Sequence, residues 1–407
     1  MAPTHEGVCL ILTKVLEISY EEWTSVMNYP YAGLDFILSE DGQLYFIEAN
    51  AVAGGIGVIT TVYNRLRKYI PMKLYPYNDH LSMLVRLFAE ASIIHHIFRT
   101  NTIPKKGIVT VPIARKGLLN LERRMIAREL ANYGVETYLV VSDKIRVKNN
   151  LITAEIGNKE IIPDIVIRRT LNFPKKIAQT VINPSEVGKI TGNKWRTYKV
   201  VVEAIKNNEI LRSTIRIPIT FYAKNLAEIE NRSRELLEMG KSVIIKPVKG
   251  QGGKGVLVIG GERELESKLS LLNKKTKYLV QEKIESLKII ENNKPYAFDI
   301  RVYTYLGKLV GIQFRRAPHP ITPKNSQLEF QTVCNISAGG AFGLILRDNR
   351  FNGLVRYYGI PKNYIPFGDK LIETSQNVLI FGKKLMWRLN RASSELTKVF
   401  SLVAQGS

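Results

Sequence analysis

Residues 246–259 read KPVKGQGGKGVLVI. A strand ends on Lys246, four glycines follow at 250, 252, 253 and 255, and a second strand begins. Glycines at this density reach positive φ at low cost and let backbone N–H groups approach a bound anion. Lys249 and Lys254 add positive charge to the loop. The spacing is that of neither a Walker A loop nor a kinase glycine loop. The expected use is to cradle phosphate; the bland alternative is a flexible hairpin tip.

A phosphate loop calls for a partner that holds a cation, and residues 29–60, YPYAGLDFILSEDGQLYFIEANAVAGGIGVIT, supply a candidate. Two apolar runs flank Ser39-Glu40-Asp41-Gly42, which predicts a β-hairpin. Glu48 and Asn50 stand two apart on one strand and so share a face, with Asp35 on the facing strand. Two carboxylates and an amide are hard oxygen donors suited to Mg²⁺ bridging nucleotide phosphates. Burying them without a cation would be costly. A second hairpin, DIRVYTYL and KLVGIQFRRA around Gly307, carries Asp299, Arg301, Arg315 and Arg316. Its arginines can clamp phosphate or carboxylate bidentately.

Outward from these motifs the chain reads as α/β. A helix is expected over 79–98, and a polar linker runs from Thr100 to Gly107. The strand GIVTVPIA, a helix closing on Gly134, and the strands VETYLVV, PDIVIRR and TVINP follow, which argues an open α/β unit. No GxGxxG follows its first strand, so a Rossmann dinucleotide site is not expected. One helix is expected over 194–215, strands over VIIKPV, VLVIGG and KYLVQEKI, and a long closing helix over 369–400 with Leu371, Val378, Phe381, Leu385, Leu389, Leu396 and Val399 on its apolar face.

The 407 residues carry 59 basic and 36 acidic side chains, a net +23. Residues 1–50 hold one basic residue, Lys14, and eight acidic ones; the other 357 keep 58 basic against 28 acidic, +30. A basic body attracts nucleotides, phosphorylated substrates, acidic proteins or nucleic acid. No apolar run reaches the length of a membrane span, and the N-terminus does not read as a signal peptide. The expectation is a cytoplasmic, enzyme-sized protein. Two cysteines, Cys9 and Cys334, make no disulfide framework and no zinc spacing. His95-His96 reads as packing or surface, Cys334 as a small buried residue, and the tyrosines form no nucleic-acid stacking stripe.

Jointly, these motifs resemble the ATP-grasp ligases, in the glutathione-synthetase-like branch that includes the ribosomal-protein glutamate ligase and the amino-group-carrier-protein glutamate ligase. The segments that carry the resemblance are PDIVIRRT, VINPSEV, GNKWRTYKVV, IPIT, VIIKPVKGQGGKG, YLVQEKI, DIRV, FRRA and NISAGG (Asn335–Gly340), with Gly33-Leu34-Asp35 and Glu48-Ala49-Asn50. They span residues 29–60 and 107–345. Asn193 stands before Lys194 where the family often has Asp. The larger departure is order: in the family the last two motifs follow the N-x-x-x-G-G segment, whereas here they open the chain. The pattern looks circularly permuted, which strands can tolerate when new termini fall in surface loops. A separate N-terminal module serving another chain is the competing account.

The resemblance implies an α/β (α+β) ATP-grasp fold. Residues 1–103 would complete the catalytic domain, 104–192 would form the pre-ATP-grasp domain, 193–285 the lid and 286–407 the catalytic subdomain. It implies a carboxylate–amine ligase that turns ATP into ADP through an acyl-phosphate. Lys194 and Lys246 would hold the inner phosphates; Gly250, Gln251, Gly252 and Gly253 would cover the outer one; Gln281, Glu282 and Lys283 would read adenine, with Asp299 also at the nucleotide. Arg301 and Arg315 would be catalytic. Arg316, Asn335, Gly339 and Gly340 would face substrate, and Asp35, Glu48 and Asn50 would hold Mg²⁺ or Mn²⁺. The expected partners are a carboxylate and an amine acceptor, the latter on an acidic protein in one version, within a homo-oligomer and away from membranes. A kinase-like phosphotransferase is the alternative within the fold, and a basic nucleic-acid-binding protein the alternative outside it.

Overall fold

A computed structural model describes residues 29–406 other than 52–53, 56, 58, 61–62, 65–72, 75–79, 101, 103, 114–118, 169–172, 174–176, 178, 251, 292, 323–327, 335–339, 349–353 and 361–382. Gln251, Asn335, Gly339 and the first part of the expected 369–400 helix therefore lie outside the described residues.

Strands β1 (Tyr31–Leu38) and β2 (Leu44–Asn50) form the expected hairpin. Gly42 takes φ +76° in its turn, and Gln43 N donates to Ser39 Oγ at 3.0 Å. A two-residue strand β3 (Lys73–Leu74) and helix α1 (His80–Thr100) follow. The α/β unit comprises β4 (Ile108–Ile113), α2 (Leu119–Asn132), β5 (Glu136–Val141), β9 (Ile165–Ile167) and β10 (Thr180–Ile182), in a parallel sheet ordered β10-β9-β4-β5. Inserted before β9 is an antiparallel meander, β6 (Ile145–Lys148), β7 (Leu151–Ile156) and β8 (Lys159–Ile161), which the sequence reading did not anticipate.

Helix α3 (Ser185–Thr191) leads to two helices where one was expected: α4 (Lys194–Asn207) and α5 (Glu209–Thr214). Asn208 separates them. It is extended at φ −127°, and its side chain accepts from Leu211 N, so it ends one helix and caps the next. The lid follows. Strands β11 (Thr220–Ala223), β12 (Val243–Pro247), β13 (Leu257–Ile259) and β14 (Tyr278–Glu282) make an antiparallel sheet ordered β11-β14-β12-β13. Helices α6 (Leu226–Glu238) and α7 (Glu262–Leu269) share a core with it through Ile229, Leu236, Leu265 and Leu269.

The chain then completes the large sheet with β15 (Lys288–Glu291), β16 (Lys294–Tyr305), β17 (Lys308–Arg316), β18 (Ala341–Asp348) and β19 (Leu354–Ile360), with a short helix α8 (Leu328–Thr332) between β17 and β18. The order is β19-β18-β17-β16-β1-β2, so the hairpin at the start of the chain pairs with strands nearly 270 residues away, Tyr31 opposite Tyr305 and Asp35 opposite Arg301. Alternation along β1 explains its burial on both sides. Ala32, Leu34, Phe36 and Leu38 enter the main core, while Gly33 and Asp35 face the other way. Helix α9 (Lys383–Gly406) closes that core with Leu389, Ala392, Leu396 and Phe400, and the Phe400 ring lies 5.8 Å from that of Tyr29. Each such fully buried Leu or Phe contributes about 1.5–3 kcal/mol. Val187, Val201 and Leu211 of α3–α5 belong to this same core.

Candidate active site

One face of the large sheet collects the charged residues, because β16, β17, β1 and β2 present alternate side chains to it. Asp299, Arg301, Gln313, Arg315, Asp35, Glu48 and Asn50 follow from the register Asp299–Arg315, Arg301–Gln313, Asp35–Arg301 and Asp35–Glu48. Arg301 donates from Nε and Nη2 to the two oxygens of Asp35, 2.6 Å each. Arg315 does the same to Asp299, 2.7 Å each, and its Nη2 lies 3.0 Å from Asp35 Oδ2. The two forks are planar matches, the geometry that makes arginine–carboxylate bonds strong. A bulge after Asp35 lets Phe36 pair with Phe46 and sets Ile47 aside. Without that extra residue, Glu48 would not stand opposite Asp35.

The electrostatics follow from burial and pairing. Burial alone pushes Asp35 up, but the Arg301 and Arg315 guanidiniums win and hold its carboxyl well below the usual carboxylate range. Asp299 goes the other way: burial, only partly offset by Arg315, raises it to about 6. Glu48 is less confined. Its side chain is 30% exposed, and its one cationic neighbour within 4 Å among the described residues is Lys194, at 3.8 Å. Asn50 Nδ2 lies 3.4 Å from Asp35 Oδ2 and 3.5 Å from Glu48 Oε1. Glu48 has a carboxylate open to a hard divalent cation, and Asn50 could join it by turning its amide oxygen inward, whereas both oxygens of Asp35 are already engaged by guanidiniums. Among the described residues no cluster of three or more His, Cys, Asp or Glu side chains is gathered for a metal.

Lys194 and Lys246 stand across from this face. Lys194 opens α4 beneath its cap Asn193, and its Nζ donates to Gly250 O at 2.8 Å. Lys246, next to last in β12, is almost fully buried; burial lowers its ammonium to about 8, with Glu48 opposing the shift and Lys194 adding to it. The two lysines border a small cleft lined also by Phe46, the bulged Ile47, Tyr198, Leu279 and Gln281. In the loop above, Gly250, Gly252, Gly253 and Gly255 all take positive φ, between +71° and +152°. Gly253 is also pressed on Val333, where a Cβ would meet Cγ1 at 2.6 Å. At the edge of the same small sheet, Glu329 of α8 pairs with Lys268 and accepts from Val258 N at 3.0 Å.

Other expected residues sit differently. Gln281 is buried with its amide on Thr220 Oγ1. The N–H groups of Glu282 and Lys283 are committed to Ile219 O and Ser242 O. Arg316 follows Arg315 and so takes the opposite face, its guanidinium 4.3 Å from the Tyr296 ring centroid. Gly340 precedes β18, whose first residue Ala341 pairs with Arg316. Glu291 and Asn293 repeat the E-x-N spacing, but Glu291 ends β15 opposite Lys294 and Asn293 takes φ +59°. His96 Nδ1 meets the buried Asp164 at 2.9 Å, a packing role. Cys334 is buried, its thiol pushed well above the usual range by that burial. The sequence reading missed Gln313. It is 1% exposed, and its side-chain amide meets Tyr303 Oη at 2.7 Å. Its signal was the period of two, which puts it on the face of Arg315.

The sequence matches no protein-family model and no curated protein. Solved structures do match. A gamma-glutamylcysteine synthetase-like protein from Methylobacillus flagellatus is 12% identical, with 100% of this chain and 98% of that one covered and a TM-score of 0.54. A RimK-domain ATP-grasp protein from Sphaerobacter thermophilus is 13% identical over 73% of this chain and 100% of its own, TM-score 0.35. D-alanyl-alanine synthetase A from Vibrio cholerae is 10% identical over 64% and 89%, TM-score 0.37. The lysine-flanked glycine loop on a small antiparallel lid, set over a larger sheet with a paired-carboxylate hairpin, agrees with the whole-chain match: this chain has the ATP-grasp fold.

Proposed function

We propose that the chain is an ATP-dependent carboxylate–amine ligase and that its fold is a circularly permuted ATP-grasp. The observation that carries both readings is the pairing of β1 with β16, which sets Asp35 and Glu48 beside Arg301 and Arg315 within one chain. In this reading the intrachain hairpin replaces the one that the family has near its C-terminus.

Lys194 and Lys246 hold the inner phosphates of ATP, and the 250–255 loop covers the outer one and excludes water. Glu48 and Asn50, with Asp35 beside them, would hold Mg²⁺ or Mn²⁺. When bound, the cation neutralises charge on the outer phosphates. A carboxylate oxygen of the substrate attacks the exposed γ-phosphorus and ADP leaves. Arg315 and Arg301 stabilise the negative charge of the acyl-phosphate. An amine then attacks the acyl carbon, loses a proton and expels phosphate. No protein nucleophile is needed. The basic body suits an anionic substrate or an acceptor on an acidic protein.

The test is turnover with hydroxylamine in place of the amine, across amino acids, dicarboxylates and acidic peptides. Glutamate is tried first, because the structure that matches at TM-score 0.54 is described as a gamma-glutamylcysteine synthetase. Hydroxamate formed together with ADP and phosphate supports the ligase reading. AMP and pyrophosphate contradict it, and a stable phosphorylated product without amide favours a phosphotransferase.

A further inference from the structure

The strand that carries Glu48 and Asn50 is fixed at its exit by residues of the α/β unit. Asn183, at the end of β10, is 2% exposed and takes the left-handed φ of +58°. That conformation turns its amide onto both ends of the hairpin. Nδ2 donates to Ala51 O at 2.6 Å and also to Tyr31 O, while Oδ1 accepts from Tyr31 N at 3.2 Å. Four residues further along, the chain is held again. Glu122 of α2, 6% exposed, accepts from Gly55 N at 3.0 Å through each oxygen and from Gly57 N at 2.9 Å. From the sheet side, Tyr303 Oη donates to Gly54 O at 2.9 Å. A Cβ at Gly55 would lie 2.5 Å from that oxygen, so no larger residue fits between.

These contacts cross 65 to 249 residues of sequence, and they bracket Asn50 on its C-terminal side. We propose that Asn183 and Glu122 are positioning residues for the Glu48–Asn50 cation site, so that the α/β unit is part of that site rather than a neighbour of it. A metal site tolerates errors of only a few tenths of an ångström, and groups behind the ligands set that accuracy. Glu122 is suited to the task because a carboxylate offers acceptors only, and its hydrogen-bond partners here, among the described residues, are N–H groups. Glutamine keeps its shape but turns a donor toward those N–H groups. The inference rests on the proposed cation site.

The test titrates Mn²⁺ into the full-length chain with saturating ADP, read by the electron paramagnetic resonance of free Mn²⁺. Glu122→Gln and Asn183→Ala should each weaken Mn²⁺ by about tenfold or more, the usual effect of losing a group behind a ligand. Glu122→Asp should recover part of the loss. ADP affinity measured in EDTA should stay within about twofold of wild type, as a check that the variants are folded. In a Glu48→Gln background, Glu122→Gln should add little, because both act on one site. Unchanged Mn²⁺ affinity in Glu122→Gln and Asn183→Ala overturns the inference, as do fully additive losses in the double variant. If Glu48→Gln itself leaves Mn²⁺ binding at the wild-type level, the cation site is wrong and the inference falls with it.

Discussion

Arg301 grips Asp35 through two parallel hydrogen bonds of 2.6 Å, although 266 residues separate the pair. The contact is buried, with Arg315 against the same carboxylate. Removing one member strands a charge away from water, which costs more than the pair itself contributes. Asp35→Leu alone should lose about 3–5 kcal/mol in urea unfolding. The double variant Asp35→Leu/Arg301→Met should be more stable than that single one. A double variant no more stable than Asp35→Leu would show that the pair does not tie the hairpin into the sheet.

Glu48 differs from Asp35 in being part-exposed and loosely held. Glu48→Ala should therefore keep the unfolding midpoint within about 0.5 kcal/mol of wild type, yet abolish Mg²⁺-dependent ADP formation. Turnover that persists with unchanged Mg²⁺ dependence would remove Glu48 from the site.

Much of this was legible in the sequence. The hairpin showed itself by two alternating runs around a turn ending in Gly42, and the phosphate loop by four glycines after Lys246. What alternation does not carry is which strand a hairpin joins. That the hairpin completes the catalytic domain came from the resemblance; its place beside β16 came from the structure. The β6–β8 meander was missed because its outer face is polar, although Gly157, at φ +58° in the turn between β7 and β8, marked it. Glu122 looked like any acidic residue in the first turn of a helix, since its partners Gly55 and Gly57 come from a distant segment. Asn208 looked like mid-helix because its neighbours continue the apolar period; only its side-chain cap onto Leu211 N breaks the helix there.

Lys246 gives a pH signature. Its folded-state value of about 8 lies below the ordinary lysine value, so the ammonium that would meet phosphate is lost as pH rises through 8. Metal-free ADP affinity should fall above that pH, by up to about tenfold per unit if one proton is linked to binding. Lys246→Arg should move the fall above about pH 10. The unfolded chain keeps the lysine proton to higher pH than the folded one, so this group adds stability as pH rises from 8 toward 10.5. An ADP affinity flat from pH 7 to 9.5 would place the nucleotide away from Lys246.

Gly253 has both a positive φ, +74°, and a wall at Val333. Gly253→Ala should keep the loop from seating over the outer phosphate. ADP affinity should change little, and the rate of ADP formation should drop by about tenfold or more, the effect of a misplaced closing element. Equal losses in both would mean that the loop binds nucleotide without closing over it.

The most direct test of the central claim is a crystal structure with ADP and Mn²⁺, located by the anomalous signal of the metal. The account predicts one Mn²⁺ at about 2.2 Å from oxygens of Glu48 and Asn50, with the β-phosphate against Lys246 of the same chain and the adenine in the cleft beside Tyr198 and Leu279. A metal held elsewhere, or held by Glu48 of one chain over the nucleotide of another, would contradict it.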